Sequence, residues 1–370
     1  MKVALVHEML VKMGGAERVL EVFQEMFPEA PIFTLLYDES VCGTVFPREK
    51  VQVSSLQKWV NFKIPRQFLV SKMPTAIESF DFSGFDLVLS SSSAFAHGIL
   101  APLMTKHISY IHSPMRYAWD YAHEYLREKS EGTFGGIKKI IIRNAVHKFR
   151  TWDFSASDRA DLLLANSKTT QNRIQKYWRK DSEILYPPVD ISRFEVTSSH
   201  ENYFLILSTL TRYKQIELAI AVFNKLPKHR LIIIGEGEDR NRLERFVTGN
   251  NIEFLGRKSD ADVAEFLKHC RALIFPGLED FGIAPVEAMA SGKPVIAFGK
   301  GGVTESVIPG KTGIFFPEST PKSLEKALLE FFQLEENGAF YPKECRKRAE
   351  EFSKEKFQQG IENVVRKIMS

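Results

Sequence analysis

The stretch FPGLEDFGIAPVEAMASGKPVIAFGKGG, Phe275 to Gly302, sets two glutamates, Glu279 and Glu287, on either side of a glycine turn that runs into a helix. The apolar run Ala272, Leu273, Ile274, Phe275 predicts a buried strand, and Pro276-Gly277 ends it. A helix is expected to begin near Pro285, because proline in a first turn gives up an N–H that has no partner there. Gly282 frees the backbone just before it. A strand, turn and helix start in this order aim unpaired N–H groups beyond the sheet edge, where they favour an anion or a polyhydroxylated ligand. Glu279 in the loop and Glu287 in the first helical turn are expected to reach one ligand. Spacing alone carries little, since two glutamates so placed arise by chance roughly once or twice in such a chain. A carboxylate early in a helix also often only complements the dipole. The small-residue helix AMASG, the exit strand PVIAF and the second loop GKGG make the composite specific.

Working outward, Val3 to Val6 predicts a first buried strand, followed by a loop at Gly14-Gly15 and an apolar-periodic helix over Ala16 to Met26. Further strands are expected at Ile32 to Leu36, Asp86 to Ser90, His107 to Ile111 and Leu162 to Ala165. Such alternation implies a mostly parallel sheet covered on both faces. Tyr186-Pro187-Pro188-Val189-Asp190 breaks the pattern, because consecutive prolines continue neither a helix nor a central strand. The interdomain linker is placed there, dividing residues 1–188 from 189–353. After it the alternation restarts, with strands at Tyr203 to Leu207, Leu231 to Ile234, Ile252 to Leu255 and Ala272 to Phe275. The chain is therefore read as α/β, two doubly wound Rossmann-like domains facing an interdomain cleft, since ligands of such sheets bind beyond the carboxyl ends of the strands. Lys354 to Met369 closes the chain as an amphipathic helix.

With 370 residues, two domains are the default, and 44% hydrophobic with 26% charged residues is a globular composition. A net charge of +4 suits an anionic small ligand or membrane surface and argues weakly for nucleic acid, for which no motif is present. Cys42, Cys270 and Cys345 are odd in number and far apart, which argues against a disulfide framework or zinc site and for a reducing, cytoplasmic setting. His7 and Glu8 interrupt the N-terminal apolar run before it could act as a signal peptide, and no segment is long enough to span a membrane. No Asp-x-Asp triplet suited to holding a metal-bound diphosphate is recognised, so neither metal nor cofactor is expected.

The composite from Phe275 to Gly302 resembles the glutamate-seven-glutamate motif of the retaining glycosyltransferases of family 4, whose fold is called GT-B. The resemblance implies that residues 189–353 bind a nucleotide diphosphate sugar. Residues 1–188, completed by the helix at 354–370, then serve the acceptor. Glu279, with amides near Phe281, Gly282 and Ile283, would grip the transferred sugar, and Glu287 the ribose. Metal-free departure of a phosphate requires protein cations. Lys214, which follows the strand YFLILS, matches the family's phosphate-binding lysine. The arginine usual about five residues earlier is replaced by Thr209, with Arg212 as a substitute. In the loop Gly299-Lys300-Gly301-Gly302 the glycines Gly301 and Gly302 allow amides close to a phosphate. Gly235 and Glu236 after the strand LIII are placed on the nucleotide side.

In the first half, His112 ends the strand HISYI where many of these enzymes carry a histidine beside the donor sugar. The segment HSPMRYAWD resembles the family's mannosyltransferase branch, which makes Arg116, Tyr117, Trp119 and Asp120 acceptor-side candidates. Gly14 and Gly15 match the family's first loop, while Glu17 and Arg18 read equally as a solvated helix start. Asn166-Ser167 is first of all a helix cap. Ile137 to Trp152, basic and apolar without a carboxylate, is expected either to rest on anionic lipid or to be a core helix with a basic face. The implied activity is transfer of a hexose, mannose from GDP-mannose, to a glycan or lipid-linked acceptor in cell-surface polysaccharide assembly. A nucleotide-sugar epimerase, active on donor alone, and a non-catalytic nucleotide-sugar binder are the alternatives.

Overall fold

The protein is described from a computed structural model over residues 1–62, 68–129 and 135–370. The described residues form two compact units: Met1–Tyr186 with Gln358–Ser370, and Pro187–Phe357. Each is built on its own parallel sheet.

The first sheet contains β1 (Val3–Leu10), β2 (Ile32–Tyr37), β3 (Val51–Val53), β4 (Leu87–Ser92), β5 (Lys106–Ile111), β6 (Leu162–Ala165) and β7 (Glu183–Ile184), in the order β3-β2-β1-β4-β5-β6-β7. The inner strands are buried along nearly their whole length, the signature of a parallel sheet covered on both faces. Phe33, Phe80, Phe82 and Phe85 cluster on one face with ring centroids 4.9 to 6.5 Å apart. Chain order reverses between β1 and β4. The expected strands are present: Leu162–Ala165 has its predicted bounds and the others begin or end one to four residues away, while the short edge strands β3 and β7 lack a sequence signal.

The second sheet contains β8 (Tyr203–Leu207), β9 (Arg230–Ile234), β10 (Ile252–Gly256), β11 (Ala272–Phe275), β12 (Val295–Phe298) and β13 (Gly313–Phe316), in the order β10-β9-β8-β11-β12-β13. Its core joins Phe204, Ile206, Ile233 and Ile274 to the helices Ile216–Phe223 and Pro321–Glu336 through Phe223, Leu328 and Phe331. Here the order reverses between β8 and β11, which pair at Leu205 and Leu273. The loops leaving two such neighbours diverge to opposite faces and leave a crevice between them, the usual ligand position in a doubly wound sheet. The helix predicted near Pro285 runs over Ile283–Ala290, two residues earlier than expected.

Candidate functional site

Both loops at the reversal of the second sheet carry residues singled out above. After β8 the chain makes a short 3-10 turn, Arg212–Lys214, ended by Gln215 in a left-handed conformation (φ 54°), an uncommon one for a residue with a Cβ. After β11 the chain turns at Gly277 directly against that turn: a Cβ on Gly277 would lie 2.9 Å from the Lys214 Cα. The close approach brings the Lys214 ammonium onto the Glu279 carboxylate as an ion pair, with side chains 11% and 21% exposed. The Lys214 Nζ also sits 5.2 Å from the centre of the Tyr213 ring. Arg212 is exposed, and among the described residues no carboxylate or ring holds its guanidinium.

The remaining predicted groups of this unit frame the pair. Gly302 donates its N–H to the Glu279 carbonyl at 3.0 Å, so the loop Gly299–Gly302 packs on the loop that presents Glu279. Gly301 has φ 81° and faces the same carbonyl. Gly282, at φ 89°, precedes the helix Ile283–Ala290, whose first N–H groups receive no side-chain cap. Phe281 is buried against Phe352, with ring centroids 5.5 Å apart. Glu287 is the fifth residue of that helix and so belongs to its second turn, a correction to the first-turn placement. Gly235 follows β9 and donates to Gly256 at 2.9 Å, while the Glu236 carbonyl accepts from Leu210 at 3.0 Å. The Glu236 carboxylate pairs with Arg240, its own neighbour one turn on. An Asp-x-Asp triplet does occur, at Asp260-Ala261-Asp262, but it serves a helix start: Asp262 and Ser259 form a capping box, and Asp260 lies 3.3 Å from Arg193.

In the first unit a second constellation gathers at the β1/β4 reversal. His7 of β1 and Ser91 of β4 are register partners, and His7 Nδ1 lies 3.2 Å from Ser91 Oγ. The same hydroxyl is 2.8 Å from Nε2 of His112, just past β5. Glu17, in the helix Gly15–Met26 capped by Gly14, lies 3.6 Å from His7 Nε2. It is 3% exposed, which corrects the solvated-start alternative. Burial alone would lower the His7 pKa, but the Glu17 carboxylate and then Glu8 outweigh it, against Lys12, and leave the value raised. For Glu17, burial opposes ionisation, and His7 overcomes it to hold the carboxyl below its ordinary value. His112 is pushed down to about 4, first by burial and then by the charge of His7. These directions favour the charged form of His7 beside an ionised Glu17, while His112 is neutral near neutrality.

On the opposite face Glu8, 5% exposed, accepts N–H groups of Ser93, Ala94, Phe95 and Ala96 at 2.6 to 3.2 Å and the Ser92 hydroxyl at 3.0 Å. It thereby fixes the loop after β4. The acceptor-side candidates divide. Trp119 donates to Asp153 at 2.7 Å and stacks on Tyr177, and Asp120 pairs with Arg173 at 2.8 Å, which ties both into the packing of the helices Gly135–Ala156 and Lys168–Tyr177. Arg116 lies over the Tyr121 ring at 4.8 Å, and Tyr117 packs edge-on against Phe149. Ser167 caps its helix through the Thr170 N–H at 3.0 Å, as its position suggests. Sequence reasoning missed His7, Glu8 and Ser91 as site residues. The available signal was a histidine and a glutamate inside a strand buried on both faces, where each must find partners.

Residues 189–355 match the family described as glycosyl transferases group 1. The matched span falls almost wholly within the second unit, Pro187–Phe357. A protein named uncharacterized glycosyltransferase MJ1178, of Methanocaldococcus jannaschii, is 29% identical over 240 residues, 64% of this chain and 68% of the relative. The alpha-1,3/1,6-mannosyltransferase ALG2 of Dictyostelium discoideum is 24% identical over 259 residues, 56% of this chain and 61% of that protein, so the match spans less than two thirds of its length. Among solved structures, Anabaena Alr3699/HepE in complex with UDP-glucose superposes with a TM-score of 0.72 over 99% of this chain and 100% of its own, at 17% identity. At that identity the likeness defines the fold, and with two Rossmann-like sheets the fold is GT-B.

Proposed function

We propose that the protein is a retaining, metal-independent glycosyltransferase that moves a hexose from a nucleotide diphosphate sugar to a glycan or lipid-linked glycan acceptor. The observation that carries it is the Lys214–Glu279 pair at the chain reversal of a domain that matches glycosyl transferases group 1. Lys214 and Arg212, helped by amides of the Gly299–Gly302 loop, take the diphosphate, and Glu279 holds hydroxyls of the departing sugar. Glu287 takes the ribose. The acceptor hydroxyl attacks the anomeric carbon on the face that the phosphate leaves, and the phosphate takes its proton, so configuration is retained. The relatives named mannosyltransferases favour mannose as the transferred hexose; GDP-mannose is the proposed donor and cell-surface polysaccharide assembly the proposed use.

Thermal shift against GDP, UDP and ADP sugars, followed by transfer assays with and without EDTA, tests this. A ligand at 100 times its Kd stabilises by about 2.7 kcal/mol. GDP-mannose is expected to raise the melting point most, and chelator to leave turnover intact. A UDP or ADP sugar stabilising instead would reassign the donor, while complete loss in EDTA restored by manganese would overturn metal independence.

The helix Gly135–Ala156 supplies the proposed membrane contact. It exposes Ile140, Ile141 and Phe154 beside Lys139, Arg143 and Lys148. The side chains of Ile137 and Lys138, part of the same expectation, lie outside the described residues. No helix among the described residues is long and apolar enough to cross a bilayer, so the proposed contact is peripheral. Each basic residue near an anionic surface contributes about 1 kcal/mol. Replacing Lys139, Arg143 and Lys148 together by glutamate is expected to weaken binding to phosphatidylglycerol vesicles by at least about 100-fold. Unchanged sedimentation with vesicles would rule the surface out.

A further inference from the structure

Ser91 carries one hydroxyl proton between two histidine rings, 3.2 Å from His7 Nδ1 and 2.8 Å from His112 Nε2. It is fully buried, and among the described residues its hydroxyl has no third partner. One contact must therefore receive the proton and the other must donate to the oxygen. At the far end the Glu17 carboxylate, only an acceptor, keeps the proton on His7 Nε2. At the near end His112 is half-buried, and its Nδ1 has no partner among the described residues. Register holds the chain together: His7 pairs with Ser91 across β1 and β4, Ser91 pairs with Tyr110 across β4 and β5, and His112 shares the Tyr110 face two residues on.

We propose that Glu17, His7 and Ser91 are positioning residues that set the polarity of His112, making its Nδ1 a hydrogen-bond donor when His7 is charged and an acceptor when His7 is neutral. With both nitrogens of His7 protonated, Nδ1–H donates to Ser91 Oγ, Ser91 donates to His112 Nε2, and the His112 proton resides on Nδ1. Loss of one proton reverses the chain. The His7 Nδ1 proton passes to Ser91, that of Ser91 passes to His112 Nε2, and the Nδ1 proton of His112 leaves. His7 retains Nε2–H toward Glu17. Resting on the proposed transferase reading and on the place beside the donor sugar that the family resemblance implies for His112, the donor state offers a hydrogen bond to an oxygen of the bound ligand, a sugar hydroxyl or a phosphate oxygen. The groups that set the midpoint are Glu17 from the helix, Glu8 on the same strand, Lys12 beyond it and His112 itself. The β2 partner of His7, Thr34, is not titratable.

The test is a titration of the full chain with 15N-labelled histidine, from about pH 5.5 to 9, reading the tautomer of His112 by NMR. The expected result is Nδ1–H below the His7 midpoint and Nε2–H above it, with that midpoint on the alkaline side of 6.5. Glu17→Gln is expected to lower both midpoints together by about one pH unit, a tenfold change in proton affinity. Ser91→Ala is expected to free the His112 tautomer from His7. A single His112 tautomer throughout the His7 titration of the wild-type chain would overturn the relay without recourse to any variant. In transfer assays, kcat/KM should fall through the same midpoint, and the fall should disappear in Ser91→Ala. A tautomer switch with no matching change in activity would uphold the relay and remove His112 from the reacting groups.

Discussion

Lys214→Ala is expected to lower kcat by about 100- to 1000-fold with little change in secondary structure or melting point. The magnitude is that of deleting one preorganised group that stabilises charge developing in a transition state. Here the charge is a second negative charge on the leaving diphosphate, and Lys214 is the most enclosed cation of the loop, its backbone so near Gly277 that a Cβ there would not fit. Glu279→Ala is expected to reduce turnover by at least about tenfold, for a different reason. It removes a ligand for sugar hydroxyls and also the carboxylate that aims Lys214. Because the two side chains touch, their effects should not add: the double variant is expected to be less impaired than the product of the singles. Glu279→Gln separates the roles, keeping hydrogen-bonding capacity while losing the ion pair. Rapid-quench single turnovers with the donor identified by thermal shift provide the measurement. Wild-type rates in both alanine variants would remove this pair from the site.

What the sequence disclosed follows from how locally each feature is encoded. Tyr203–Leu207 and Ala272–Phe275 are apolar runs closed by turn residues, and their bounds are as predicted. Glu183–Ile184 is two exposed residues on a sheet edge, so it lacks both length and pattern. Gly313–Phe316 follows the turn at Gly310 but is too short for its periodicity to separate strand from helix. The donor-side candidates could be picked out together because most lie within one strand, turn and helix. Their pairing was not: Lys214 meets Glu279 only because β8 and β11 are spatial neighbours despite two intervening strands. The same holds for His7, Ser91 and His112, which share a sheet face only once the order β1-β4-β5 is set. Trp119 and Asp120 show the reverse case. Their motif marked them as acceptor-side candidates, and their contacts with Asp153, Tyr177 and Arg173, on helices distant in sequence, were not legible from it.

Gly302→Ala is expected to disrupt the proposed donor site through a single added methyl. Gly302 has φ −65°, which any residue adopts, so the backbone conformation itself carries no penalty. The difficulty is steric. A Cβ there would come well inside 3.0 Å of both the Asp280 carbonyl oxygen and the Phe281 Cα, backbone atoms that cannot rotate away. Relief requires the Gly299–Gly302 loop to withdraw from residues 279–281, which breaks the 3.0 Å hydrogen bond from Gly302 to Glu279. Overpacking of this kind typically costs 1–3 kcal/mol, and the lost hydrogen bond adds about 1 kcal/mol. For a unit of this size the melting point should drop by roughly 4 to 16 °C. Donor affinity should fall with it, because the same withdrawal shifts Glu279 away from Lys214 and moves the loop amides from the diphosphate. Gly310→Ala is the control: nothing lies within 4 Å of its Cβ, and only its positive φ of 75° is strained. It should cost about 1 kcal/mol of stability and leave donor binding unchanged. Equal donor affinity in both variants, measured by calorimetry below either melting point, would show that the Gly299–Gly302 loop does not hold the donor.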